Sequence, residues 1–125
     1  MTSPLRILFV DDQPVAAYAA IEPYLRDFWV SLVFSVADAT HFLSREAFGL
    51  VLVDYDLEDG KGTAVIEAAR RSQPGALVIA VSDHELGNRA LLRAGADAVC
   101  RKDDLGGLRE LVTALQAPGQ RAEQG

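Results

Sequence analysis

Residues 50–62 read LVLVDYDLEDGKG. An uninterrupted apolar run, Leu50 to Val53, stops at four carboxylates within six positions: Asp54, Asp56, Glu58 and Asp59. Carboxylates this close repel and raise one another's pKa unless a cation joins them. The run before them is short and apolar at every position, the pattern of a strand buried on both faces of a parallel sheet.

The same alternation of short apolar runs and helical stretches extends in both directions. LRILFV (5–10) is a first strand. After DDQP, the segment VAAYAAIEPYLRDF predicts a helix with Val15, Tyr18, Ala19, Leu25 and Phe28 inward. Pro14 suits its first turn, whereas Pro23 kinks or shortens it. VSLVFSV (30–36) is strand-like, with β-branched residues throughout. Phe28 and Trp29 before it are expected in core or rim packing. ADATHFLSREAF is a helix closed by Gly49, and 56–62 is an Asp/Gly-rich loop. TAVIEAARRS is an amphipathic helix stopped by QPG, and ALVIAV (76–81) is the next strand. HELGNRALLRAG is a helix with Gly95 as its C-cap. ADAVC is a fifth strand. DDLGGLRELVTALQ is a last helix, capped by Asp103 or Asp104 and weakened by Gly106 and Gly107. The division expected is one domain over 1–117 and a polar, disordered tail over 118–125. Five strand–helix pairs predict a parallel sheet with helices on both faces, a doubly wound α/β fold.

Composition narrows the function classes. The 125 residues are half hydrophobic and 24% charged, as in ordinary globular domains. A net charge of -6 argues against a nucleic-acid backbone or an anionic membrane as main partner. Cys100 is the single cysteine, so no internal disulfide or cysteine-based metal site is available. It reads as a small buried thiol. Neither a secretory signal nor an apolar run of membrane-spanning length is present, so the expected compartment is the cytoplasm.

In doubly wound sheets, ligands bind at the carboxyl ends of the strands. Strand one ends in Asp11-Asp12, strand three in Asp54, strand four in Ser82 and strand five in Arg101-Lys102. Strand two ends in Ala37-Asp38, which reads as a helix cap. Three acids, a hydroxyl and an ammonium therefore converge on one edge. Clustered carboxylates suit a hard divalent cation such as Mg²⁺, which keeps several waters and takes one or two carboxylates directly. A metal beside a carboxylate, a lysine and a hydroxyl is equipment for handling a phosphoryl group, with Asp54 as nucleophile. Lys61 and Lys102 are the only lysines beside ten arginines, so the lysine at 102 reads as a wanted compact charge.

At this point the sequence closely resembles the receiver domain of two-component response regulators. The resemblance rests on FVDD at 9–12, LVLVDYDL at 50–57 with Gly62 eight residues past the aspartate, VIAVSD at 78–83 and AGADAVCRK at 94–102. It covers residues 5 to about 117 and implies a CheY-like, flavodoxin-like (βα)5 domain with strand order 2-1-3-4-5. It implies that Asp11 and Asp12 hold Mg²⁺, that Asp54 is both ligand and phosphoacceptor, and that Asp56 offers its backbone carbonyl with its side chain free. Ser82 would be the switch hydroxyl and Lys102 the ion-pair partner of the phosphoryl group. The donor would be a histidine of a sensor kinase or phosphotransfer protein, or a small phosphodonor. The face around helix four, strand five and helix five would meet an output domain or a second copy, with Arg89, Arg93 and Arg109 on it. The implied role is regulatory rather than enzymatic.

Four positions depart from the family pattern. Asp103 stands where proline usually follows the lysine, which predicts a trans peptide and a reshaped loop. Val99 replaces the aromatic switch residue and is too small to act as a rotating ring. Asp83 puts a charge beside the switch hydroxyl, where a small residue is usual and where it is expected to repel phosphate or slow donor access. Glu58 replaces a proline in the loop after Asp54. Val99, Asp83 and the missing proline favour, as an alternative, a phosphorylation-independent pseudo-receiver that serves as an interaction module. A further alternative is a small phosphatase of the haloacid-dehalogenase type, since VLVDYD resembles its opening motif. That motif would lie mid-chain here, without room for a cap. His41 and His84 lack a second histidine at ligand spacing and read as surface or capping residues. His84, two positions past Ser82, is also placed to shield a phosphoryl group from water.

Overall fold

The computed structural model describes residues 6–115. Strands β1 (Arg6–Val10), β2 (Trp29–Val33), β3 (Leu50–Val53), β6 (Leu77–Val81) and β7 (Ala98–Cys100) form one parallel sheet in the order β2-β1-β3-β6-β7. Between β3 and β6 the chain adds a two-residue antiparallel pair, β4 (Asp56–Leu57) with β5 (Gly60–Lys61). Without that pair the order is the expected 2-1-3-4-5. The helices are α1 (Pro14–Ile21), α2 (Val36–Arg45), α3 (Gly62–Ser72), α4 (Glu85–Ala94) and α5 (Leu108–Leu115). The expected tail over 118–125 and the boundary at 117 lie outside the described residues.

The apolar runs are continuous because each strand faces two cores. On β3, Val51 and Val53 join the core under α2, α3 and α4, built with Leu43, Val65, Ile66 and Leu91. Leu50 and Leu52 point the other way, into the core with Ile21, Leu25, Leu108 and Val112 of the α1 and α5 side. All four β3 residues are fully buried. Such burial, at roughly 25 cal/mol per Å² of apolar surface, dominates the favourable side of folding.

Several local expectations are corrected. In the first helical segment Val15 is 76% exposed and Ala19 is exposed, and Ile21 is the residue of α1 that is buried. Alanines around most of its circumference give the helix no strong apolar stripe to orient it. Pro23 ends it: α1 stops at Ile21 and a single 3-10 turn, Glu22–Tyr24, follows. Strand β2 stops at Val33, three residues short of the expected end. Ser35 rather than the Ala37-Asp38 pair caps α2, its Oγ accepting from the Asp38 N–H at 3.0 Å. That helix ends at Arg45, before Gly49. Trp29 opens the edge strand 64% exposed, whereas Phe28 packs on the α1/α5 core.

The last helix starts later than its Asp caps suggested. Lys102–Gly107 forms 3-10 turns with Asp104 non-helical (φ -138°, ψ 52°), and α5 begins only at Leu108. Gly106 and Gly107 disfavour an α-helical first turn, so the helix waits for the apolar stretch behind them. Gly95 ends α4 at φ 122°, as its C-cap role requires. No cis peptide occurs among the described residues, so Lys102–Asp103 is trans, as expected.

Candidate functional site

The main-chain ladder delivers the acids to the carboxyl edge. The Asp11 N–H donates to the Val33 carbonyl (3.1 Å) and the Asp54 N–H to the Val10 carbonyl (2.9 Å), continuing the parallel pairing one residue past each strand. Asp11 is 1% exposed and Asp54 8%. Behind Asp54, Gly62 opens α3 and donates its N–H to the Tyr55 carbonyl at 2.7 Å. A Cβ at 62 would lie inside contact distance of the Asp54 carbonyl oxygen, so only glycine lets α3 start this close.

The four crowded carboxylates of residues 54–59 separate by partner. Asp54 faces the site. Asp56 pairs with Lys61 across the β4–β5 hairpin, which corrects the expectation that its side chain stays free. The Lys61 ammonium holds the Asp56 carboxyl below its usual pKa. Asp59 accepts from the Val36 N–H (2.6 Å) and Ala37 N–H (3.0 Å), a second cap on α2 that lowers its pKa in turn. Glu58 is exposed. The crowding is thus relieved by distributing the charges among a lysine, a helix terminus and the site itself.

At the site, Asp11, Asp12 and Asp54 each offer one carboxylate oxygen, and the three oxygens lie within 4.8 Å of one another. The Lys102 ammonium reaches Asp11 Oδ2 (2.7 Å) and Asp54 Oδ2 (3.0 Å). The contact to Asp54 is a hydrogen bond, while the Asp11 contact is a charge pairing without hydrogen-bond direction. Asp11 Oδ1 accepts from the Gln13 N–H (2.9 Å) and Asp54 Oδ1 from the Tyr55 N–H (2.7 Å). Burial pushes the Asp54 carboxyl above the usual range, and Asp11 adds to this, against the pull of Lys102. Asp12, at the rim, is raised by partial burial and then by Asp11. Burial opposes the charge on Lys102, but Asp11 and Asp54 outweigh it and hold the ammonium above its usual pKa. One lysine therefore answers three acids, leaving net negative charge at an open edge of hard oxygen donors. Asp11 Oδ2 is buried and has the Lys102 ammonium, at 2.7 Å, as its charge partner. This donor set fits a hard divalent ion such as Mg²⁺.

The β6 and β7 side is arranged differently. Ser82 is 3% exposed and its Oγ accepts from the His84 N–H at 3.0 Å. His84 caps α4, its Nδ1 accepting from the Gly87 N–H (2.8 Å), so the expected capping role is what it performs. Asp83, next to the hydroxyl, accepts from the Asp103 N–H at 3.2 Å. A proline at 103 would have no N–H to give, so two departures from the family pattern form one contact between two loops. Val99 is half-buried against the α2/α3/α4 core. Burial keeps the Cys100 thiol above its usual pKa.

Sequence reading missed three neighbours of the site. Tyr55 stacks near His84 (ring centroids 5.0 Å apart) under the Lys61 ammonium, 5.0 Å from the ring. Gly87 makes room for it, since a Cβ there would come within 2.5 Å of the ring. Asn88, buried in α4, donates from Nδ2 to the Ser82 carbonyl at 2.7 Å. A lone glycine or asparagine inside a helical pattern gives no sequence signal of such contacts.

A doubly wound sheet with a three-acid, one-lysine cluster at the switch edge defines the class of protein, and comparison with known proteins narrows it. No protein-family model matches the chain. It is 36% identical over 94 residues to the response regulator protein PilR of Pseudomonas aeruginosa, an alignment covering 72% of this chain and 21% of that protein. The chain thus spans about a fifth of the length of this curated relative. A CheY-like response regulator receiver domain from Methanospirillum hungatei superposes with a TM-score of 0.82 at 28% identity, covering 97% of this chain and 99% of the other. The receiver domain of a sensor histidine kinase from Pseudomonas aeruginosa, solved with magnesium in its active-site cleft, gives a TM-score of 0.78 at 24% identity, with 90% and 97% covered. The chain has the fold of the CheY-like receiver domains of two-component response regulators and is similar to them in sequence. At the carboxyl edge of that fold it carries an acidic pocket of Asp11, Asp12 and Asp54. Among the described residues, no helix is long and apolar enough to cross a membrane.

Proposed function

We propose that Asp54 accepts a phosphoryl group from a phosphohistidine of a sensor kinase or phosphotransfer protein, within a receiver domain occupying 1–117, in the cytoplasm. The observation that carries this reading is the placement of a buried carboxylate, Asp54, between a lysine at 3.0 Å and two further acids. Asp11, Asp12 and Asp54, with the backbone carbonyl of Asp56, would hold Mg²⁺. That ion would neutralise phosphoryl oxygens that the acids alone repel. The magnesium in the cleft of the structural neighbour supports this choice.

In the transfer, an Asp54 oxygen forms the new O–P bond while the donor's N–P bond breaks and its electron pair returns to the imidazole. Lys102 leaves the Asp54 carboxylate for the phosphoryl oxygens, keeping its charge at the site. Ser82 turns its hydroxyl to donate to one of them. Hydrolysis of the acyl phosphate later returns Asp54 and inorganic phosphate, and His84 screens that step from water. The phosphorylated state is read on the face of α4, β7 and α5 by an output domain or a second copy.

Intact mass after incubation with Mg²⁺ and acetyl phosphate, on wild type and Asp54→Asn, tests the reading. One phosphate adduct that needs Mg²⁺ and disappears in the variant is expected. No adduct from acetyl phosphate or from a phosphohistidine donor, together with no Mg²⁺ binding, would overturn it in favour of a phosphate-independent interaction module.

A further inference from the structure

Asn88 is 6% exposed in the first half of α4, about one turn before the buried Leu91. Its Nδ2 donates to the Ser82 carbonyl (2.7 Å), while its Oδ1 is buried with no hydrogen-bond partner. A buried amide oxygen without a donor costs free energy that an apolar residue at the same place would avoid. Its presence there points to a use for the amide. Ser82 is bound to the start of α4 twice, through its carbonyl to Asn88 and through its Oγ from the His84 N–H. The Asn88 N–H in turn donates to the His84 carbonyl at 2.8 Å. Because that Oγ acts as acceptor, its own proton is free for another partner. On β7, Val99 offers no ring to follow the hydroxyl.

We propose that Asn88 is a positioning residue that ties Ser82 to α4, so that the switch leaves the site through the first turns of α4 rather than through a side chain on β7. When the Ser82 hydroxyl turns to a phosphoryl group, the 82–84 loop moves and its His84 N–H bond is given up. Asn88 passes that movement to the helix by its bond to the Ser82 carbonyl, and its unpaired Oδ1 supplies the acceptor for a second arrangement. A buried amide with one paired and one unpaired atom can exchange its bond for another, as a two-state element of such coupling requires. The inference rests on the phosphoacceptor reading of Asp54.

The test uses Mg²⁺ with beryllofluoride, an unreactive stand-in for the phosphoryl group, on wild type, Asn88→Leu and Asn88→Ala. Calorimetry reads binding of the probe, and hydrogen exchange reads residues 84–94. In wild type the probe is expected to change exchange in that segment by about fivefold or more. In Asn88→Leu the probe should bind within about threefold of wild type, while the α4 response is lost. Asn88→Ala gives the same reading should the leucine variant not fold. An undiminished α4 response in either variant would overturn the inference, as would probe binding lost in parallel with thermal stability. Failure of wild type to bind the probe would instead sink the phosphoacceptor reading, and this inference with it.

Discussion

The two halves of the carboxyl edge are built by different means. At β1 and β3, Asp11 and Asp54 ride on ladders whose next main-chain hydrogen bond is made by the acid's own N–H. At β6 and β7 the groups are set by side chains reaching across loops: Asn88 to the Ser82 carbonyl, and Asp83 to the Asp103 N–H. The first half is therefore stiff and insensitive to any one side chain. The second can be re-set by single substitutions, and three of the four departures from the family pattern, Asp83, Val99 and Asp103, lie there.

The largest effect is expected from breaking the stiff half where it has no slack. Gly62→Ala forces a Cβ against the Asp54 carbonyl oxygen. The expected loss is about 3 kcal/mol in urea unfolding, as for other overpacked backbone contacts. Adduct formation at Asp54 should fall with it.

Mg²⁺ gives the next largest change. At about ten times its Kd it should stabilise the fold by about 1.4 kcal/mol at pH 7, read as a rise in thermal midpoint. The rise should shrink in acid, because both Asp54 and Asp12 take up protons above the usual carboxylate range.

Asp54→Asn is expected to raise the midpoint without Mg²⁺. The sign follows from linkage: burial holds the folded pKa of Asp54 above its ordinary carboxylate value. Ionisation therefore favours the unfolded chain, starting near that value and reaching its full penalty above the folded pKa. The variant should be the more stable at pH 7, and the difference should close below the unfolded pKa. A variant less stable than wild type at pH 7 would show that Lys102 outweighs burial.

The smallest effect concerns the adaptable half. Asp83→Ala and Asp103→Pro each remove the 3.2 Å contact at an exposed position, with an expected cost of about 0.5 kcal/mol apiece. The double variant should cost less than their sum by about the same amount. Additive losses would mean that the two departures are independent.

The stiff half was legible in the sequence for the reason that makes it stiff. Apolar runs fix where strands end, and Asp11, Asp12 and Asp54 follow from those ends, as Lys102 on the other half follows from the end of β7. What stayed hidden depends on few residues or on distant ones. The β4–β5 hairpin is only two residues per strand, too short for any period, so the pairing of Asp56 with Lys61 was not visible. Val36 looked like strand because it is β-branched, yet it begins α2 under the caps of Ser35 and Asp59. Val15 and Ala19 sit on an alanine-rich helix whose pattern names no inward face. The Asp83–Asp103 contact joins residues 20 apart through one backbone N–H, which nothing in either local stretch announces.

The most direct measurement locates the phosphate. After treatment with acetyl phosphate and Mg²⁺, borohydride reduces an aspartyl phosphate to homoserine, and peptide mapping then shows which residue was converted. Homoserine is expected at 54, with Asp11, Asp12, Asp56 and Asp59 unchanged. Conversion at another of these acids, or at none while Mg²⁺ binds, would contradict the assignment of Asp54 as the phosphoacceptor.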